Sequence, residues 1–326
     1  MQQRIELNRI EADEESGPLE LRQRTVALLG KLAPKEGYNL TMLPDVRFLR
    51  SNRPLERTPV LYDPGIVIVC QGCKRGYFGK QMYLYDEQHY LAVSVPVPFT
   101  METEASEETP LLAIYLHLDF SVVADLTLQI DEENGPVDAA PRGMMSTPMD
   151  EKLGGSVLRL LAAMDAPLEA KILGPALVRE IYFRVLASEQ GATMRAALAQ
   201  RGEFGRITRA LRKIHACYGH VLDVGLLAAE AGMSIPSFHS HFKAVTQTSP
   251  MQYLKSTRLH QARLLMVRND MSAAQASAQV GYESASQFSR EFKRLFGRSP
   301  AEEAGRMRKN FAVPPPRDTT LFVSSH

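Results

Sequence analysis

The chain predicts two unlike domains of the α+β class: an N-terminal β-barrel or jelly roll with helices, then an all-helical double helix-turn-helix. Three observations predict this division. One helical pattern occurs twice in the C-terminal third, the charge separates between the halves, and the hydrophobic period becomes helical after Pro148.

The repeat is explicit. The chain reads Phe238-x3-Phe242-Lys243-x5-Ser249-Pro250 and, fifty residues later, Phe288-x3-Phe292-Lys293-x5-Ser299-Pro300. Ala229 with Gly232 precedes the first copy and Ala278 with Gly281 the second, 49 residues apart, so the second turn carries one extra residue. A short helix, a glycine turn and a second helix with Phe on one face make a helix-turn-helix unit. Each unit is too small to bury its own core, so the pair forms one domain. Between them Met251 to Val267 holds neither Gly nor Pro and reads as one joining helix. Ile207, Leu211, Ile214 and Tyr218 mark the domain's first helix, after a boundary at Ala199 to Glu203. A partnerless helical hairpin array is the competing reading, and two copies are too few for a solenoid.

Charge supports a polyanion partner. Residues 201–310 hold 17 Lys/Arg against 8 Asp/Glu, a net of +9, whereas residues 1–200 hold 20 against 28, a net of −8. A basic helical module on an acidic partner is the electrostatic footprint of a nucleic-acid binder. No 18-residue apolar run exists, which argues against a membrane span. Met1 to Glu15 is polar and acidic, unlike a signal peptide, and three cysteines do not make a secreted disulfide framework. A cytoplasmic protein is expected.

From Tyr38 to about Pro136 the pattern is strand-like. Ile66 to Cys70 is a continuous apolar run after an Asp63-Pro64-Gly65 turn. Tyr83-Leu84-Tyr85 and Tyr90 to Val97 follow, and Leu112, Ile114, Leu116 and Leu118 alternate on one face. Short strands punctuated by Gly and Pro suggest a sandwich or barrel. Leu153, Val157, Leu160 and Met164 then fall at helical spacing, as do Leu177, Ile181 and Val185 beyond Gly174-Pro175. These amphipathic helices are expected to pack on each other, with a second subunit as a further partner in a homodimer.

The stretch from about Arg206 to Met307 resembles the DNA-binding domain of the AraC/XylS family of bacterial transcription regulators. The residues that carry this are Leu227-Ala228-Ala229-x-Ala231-Gly232-Met233-Ser234, Phe238-x3-Phe242-Lys243, Ser249-Pro250, and Tyr253-Leu254-x3-Arg258-Leu259-x2-Ala262-x-Leu264-Leu265. The second unit adds Val280-Gly281-Tyr282, Phe288-Ser289-Arg290-x-Phe292-Lys293 and Phe296-Gly297-x-Ser299-Pro300. The resemblance implies two recognition helices on a rigid linker, entering successive major grooves about 34 Å apart. By position the first, from about Pro236 to Val245, would present Pro236, Ser237, His239, Ser240 and Lys243. The second, from about Ala285 to Leu295, would present Ala285, Ser286, Ser289 and Arg290. Arg290 is the strongest base reader, because a guanidinium pairs bidentately with guanine. Gln247 stands where the family places a helix-closing glycine, and Gly297 keeps that role in the second unit. The first helix offers the groove no arginine, which favours shape or phosphate contact there.

Gln71-Gly72-x-Lys74-Arg75, the Tyr90 to Pro98 stretch and Glu180-Ile181-Tyr182-x-Arg184-Val185-Leu186 resemble the cupin-type regulatory domain of one AraC/XylS subgroup. This implies a cupin-like, ligand-sensing or dimerising barrel. The organisation expected is a disordered arm over 1–18, the regulatory domain over 19–200, the DNA-binding domain over 203–310, and a disordered tail over 311–326. The partners expected are double-stranded promoter DNA, an unidentified small-molecule effector and, if the chain is an activator, RNA polymerase.

A cupin-type enzyme with a DNA-binding appendage is the rival reading. It wants three or more metal ligands, and the N-terminal half has only His89 and His117, with no His-x-His. No metal, cofactor or catalytic residue is therefore expected, nor is a phosphate loop or a Gly-x-Ser-x-Gly elbow present. A structural DNA binder without a ligand is a further alternative. Cys70-x-x-Cys73 is the remaining chemical feature. A bridge would need a bend at Gly72. Both cysteines read foremost as ordinary core or edge residues. The competing expectation is that Lys74 and Arg75 lower the thiol pKa and make Cys73 an electrophile sensor. Cys217 reads as core.

Overall fold

The computed structural model describes residues 19–135, 139–199 and 202–310. The arm expected over 1–18 and the tail expected over 311–326 lie outside the described residues. Helix α1 (19–32) leads into nine strands: β1 (Gly37–Leu40), β2 (Val46–Ser51), β3 (Leu55–Tyr62), β4 (Gly65–Gln71), β5 (Cys73–Phe78), β6 (Gln81–Asp86), β7 (His89–Val93), β8 (Val97–Glu104) and β9 (Leu111–His117). Helix α2 (Phe120–Asn134), strand β10 (Met144–Pro148) and helices α3 (Glu151–Met164), α4 (Pro167–Ala187) and α5 (Gly191–Leu198) complete the N-terminal half.

The strands form one antiparallel sheet in the order β1-β2-β9-β4-β7-β6-β5-β8-β3, with β10 added on β7. It curls into a half-barrel whose end strands are not paired to each other, so the expected barrel is open. Its two faces divide by strand parity. Ile66, Ile68, Leu112, Ile114 and Leu116 face outward into a core with Leu29 of α1, Val123 of α2, Leu160 of α3 and Ile181 of α4. Val67, Val69, Phe78, Tyr85, Phe99 and Tyr115 face inward. Strands β4 and β9 are thus buried on both sides, which explains their nearly unbroken apolar sequence.

Four expectations need correcting. The strand-like reading to Pro136 fails over 120–134, where Asp119 accepts hydrogen bonds from the backbone of Ser121 and Val122 and starts α2. The run from Tyr90 to Val97 is two strands, because Ser94 to Pro96 turn the chain between β7 and β8. Helix α4 begins at Pro167, in the first turn where the missing N–H costs nothing, and continues through Pro175. Gly174 there admits Leu43, whose methyl lies 2.7 Å from any Cβ that could be added.

The C-terminal half is helical: α6 (Gly202–Cys217), α7 (Val224–Ala231), α8 (Ile235–Thr246), α9 (Pro250–Arg268), α10 (Ala273–Gln279), α11 (Ala285–Phe296) and α12 (Pro300–Asn310). Both units close their first helix alike. Met233 N–H donates to Ala228 and Tyr282 N–H to Ser277, after Gly232 and Gly281 in positive φ. Phe238 and Phe242 are fully buried in the first unit and Phe288 and Phe292 in the second. The inward core of the half-barrel runs on into Ile207, Leu211, Phe238 and Tyr253, so the first unit and the sheet interior share one apolar cluster. The second unit has a core of its own.

Candidate nucleic-acid interface

Helices α8 and α11 follow the turns of the two units, where recognition helices belong. Helix α8 has Pro236 in its first turn, and α11 is capped by Ser284, whose side chain accepts from Gln287 N–H. Burial of the Phe pairs turns the opposite faces outward. Pro236, His239, Ser240 and Lys243 are exposed on α8 and Ser237 is half-buried; Ala285, Ser286, Ser289 and Arg290 are all exposed on α11. Each unit thus presents its own set of these side chains on one helix.

Sequence reading passed over two neighbours of Arg290. Lys293 and Arg294 are also exposed on α11, and their spacing of three and four from Arg290 was the available signal. Among the described residues none of Lys243, Arg290, Lys293 and Arg294 is in an ion pair. Helix α11 therefore offers concentrated free positive charge, and α8 a single lysine among short polar groups.

The two units are fixed to each other by α9. Arg258 donates to the carbonyls of Tyr218 (2.8 Å), His220 (2.8 Å) and Gly281 (3.0 Å), which ties the loop before α7 to the turn before α11. These turns touch directly: a Cβ on Gly281 would meet the Gly219 carbonyl at 2.7 Å. Lys255 of α9 pairs with Glu291 of α11 at 2.9 Å, and Tyr282 donates to the same carboxylate at 2.8 Å. Burial raises the pKa of Glu291, but Lys255, Tyr282 and Gln287 outweigh it and hold the carboxyl below its ordinary value. The residue beside Arg290 is thereby anchored to the linker.

The first unit is anchored to the half-barrel instead. Tyr253 donates to the Pro96 carbonyl at 3.0 Å, and its hydroxyl lies 2.7 Å from His215 Nε2. Burial pushes the His215 imidazole down to about 3 and keeps it neutral. Gln247 ends α8 in the left-handed conformation, φ 56°, which glycine adopts without strain. Its side chain reaches the β5–β6 turn, where its Oε1 lies 3.1 Å from a Cβ added to Gly79. The departure from the glycine pattern thus coincides with a contact between α8 and the sheet.

The cysteines do not form the arrangement that thiol activation needs. Gly72 at φ 84° supplies the bend and reverses strand parity, so Cys70 faces the outer helices while Lys74 enters the sheet interior. Arg75 is engaged by Glu104 and Glu102. Burial raises the Cys73 thiol, and Glu104, Asp86 and Glu102 add to that against Arg75; burial pushes Cys70 up to about 12. The expected lowering by Lys74 and Arg75 is therefore reversed. All three cysteines are free, and Cys217 is half-buried against the shared core. His89 lies 2.9 Å from Asp86, and among the described residues no three His, Cys, Asp or Glu side chains are grouped as metal ligands.

The family described as AraC-type transcriptional regulator N-terminus matches residues 42–193, and the helix-turn-helix domain family matches residues 227–306. Among curated proteins, the transcriptional activator NphR of Rhodococcus sp is 32% identical over 158 residues, covering 46% of each chain. The virulence regulon transcriptional activator VirF of Yersinia enterocolitica is 25% identical over 166 residues, 51% of this chain and 60% of its own. The chain thus spans about half the length of these relatives. A crystal structure of an apo ToxT variant from Vibrio cholerae has the same fold, with a TM-score of 0.57 at 10% identity, covering 82% of this chain and 99% of that one. The chain belongs to the AraC/XylS family of transcription regulators, with an AraC-type N-terminal domain and a helix-turn-helix DNA-binding domain.

Proposed function

We propose that this protein is a sequence-specific, effector-responsive transcription regulator that reads two successive major grooves of promoter DNA with α8 and α11. The observation that carries this reading is the pair of exposed helix faces held in register by Arg258 within a segment of net charge +9. Arg290 reads a guanine edge, Lys293 and Arg294 hold the flanking phosphates, and α8 contributes phosphate and shape contact through His239, Ser240 and Lys243. Effector binding in the half-barrel shifts the balance between DNA-competent and incompetent arrangements, because its interior core is continuous with the first unit. Recruitment of RNA polymerase and a cytoplasmic location next to the chromosome complete the reading; among the described residues no helix is long and apolar enough to cross a membrane. Exposed Leu168, Ile172 and Leu173 on α4 suit a homodimer contact. Chemistry has no part in this reading: the site binds and does not turn over.

The test is a pair of substitutions in the full chain, measured on DNA selected from a random pool and on unselected DNA. Arg290→Ala should cost roughly 1–3 kcal/mol on selected DNA and relax one base position. Lys243→Ala should weaken both DNAs alike and make the salt dependence shallower. If Arg290→Ala lowers both DNAs equally, α11 does not read sequence.

A further inference from the structure

The interior of the half-barrel contains a cavity of about 330 Å³ that no step above requires. Leu49, Leu55, Val60, Met101 and Leu111 give it apolar walls, and Lys74 enters it from β5. Lys74 is only 2% exposed. Its strand neighbours in register are Thr103 and Tyr85, neither an acid. Among the described residues its ammonium has neither an ion-pair partner nor a hydrogen-bond partner. The carboxylates that line the cavity are occupied or peripheral. Glu36 is held by Arg53 at 3.1 Å, Glu303 is held by Arg263 and Arg306, and Glu56 is exposed. An ammonium taken from water without a counter-ion is among the costliest groups a fold can carry.

We propose that the cavity binds a small organic monocarboxylate with an apolar body, its carboxylate paired with Lys74 and its body against the aliphatic walls. The inference rests on the effector-responsive reading and gives that effector a chemical class. The volume suits a ligand of roughly ten to fifteen heavy atoms, at the small end of pocket sizes. The seat is built from both halves of the chain. Arg263 on α9 and Glu303, Arg306 and Met307 on α12 close one side of it, so an occupant touches the helices that carry the DNA-binding units. Occupancy therefore stabilises one docking of α9 and α12 on the sheet, and through Arg258 and Lys255 this reaches α11.

The experiment uses the full chain, wild type and Lys74→Met, with octanoate, 4-phenylbutanoate and the corresponding neutral alcohols, by calorimetric titration and thermal unfolding. Wild type should bind at least one carboxylate saturably, with a raised melting temperature, and bind its alcohol about tenfold or more weakly. Lys74→Met should lose that preference while melting, without ligand, at or above the wild-type temperature, because the substitution removes a buried uncompensated charge. A variant that melts well below wild type would show that Lys74 already has a structural partner, and would overturn the proposal. Failure of both carboxylates to bind, or equal binding by Lys74→Met, would overturn it too. DNA affinity measured alongside separates the two claims. Carboxylate binding that leaves wild-type DNA affinity unchanged refutes the effector reading and keeps the site, whereas DNA binding with no carboxylate binding does the reverse.

Discussion

Lys74 and Arg75 are adjacent in sequence and lie on opposite faces of β5, and their chemistry differs accordingly. Arg75 is outside among Glu102 and Glu104, while burial lowers Lys74 from 10.5 to about 8. The sign of the resulting pH dependence is fixed. Between about 8 and 10.5 the unfolded chain holds a proton that the native chain has lost, so native stability rises with pH across that window; below 8 the full penalty remains. The melting temperature of wild type should therefore gain on that of Lys74→Met as pH increases from 8 to 10. Carboxylate binding by wild type should weaken over the same range. The other charged groups facing the cavity are Glu36, Glu56, Arg50, Arg53, Arg263, Glu303 and Arg306, and the variant retains all of them. A melting difference that stays constant from pH 7 to 10 would mean that Lys74 does not titrate there. Sequence could show that these two cations follow Cys73, but not which side each one takes. That depends on the parity reversal at Gly72, whose positive φ no pattern announces.

At the scale of elements, α9 is both the linker and the ruler. The absence of Gly and Pro made its helix legible, and the doubled Phe-x3-Phe pattern made α8 and α11 legible within a residue or two. The mutual fixing of the units was not legible, because the carbonyls that Arg258 gathers come from residues 23 to 40 positions away. Helix α2 was hidden for a related reason. Its alternating start continues the pattern of β9, and only the Asp119 cap marks the change. Arg258→Ala should lower stability by roughly 2–4 kcal/mol, since three carbonyls lose a charged donor together. It should also weaken binding to selected DNA more than to unselected DNA, because two-groove reading needs fixed spacing. Thermal unfolding and a binding titration on both DNAs check this; unchanged spacing preference at reduced stability would assign Arg258 a purely structural role.

At the scale of the whole molecule, the half-barrel and the first unit share a core while the second unit keeps its own. The unit with the weaker set of base readers is thus the one seated on the sensor. The unit with Arg290, Lys293 and Arg294 is tied to it only through α9, α12 and the turn contacts. Sequence predicted the charge division and both architectures, yet it could not show an open sheet closed by α9 and α12, since those contacts join residues some two hundred positions apart. The most direct test is a hydroxyl-radical footprint of the full chain on selected DNA, wild type against Arg290→Ala. Two protected tracts on one face, one helical turn or about 34 Å apart, are predicted, with the substitution erasing protection at the tract read by α11 and sparing the other. A single tract, or two tracts on opposite faces of the duplex, would contradict the reading of one rigid body entering successive major grooves.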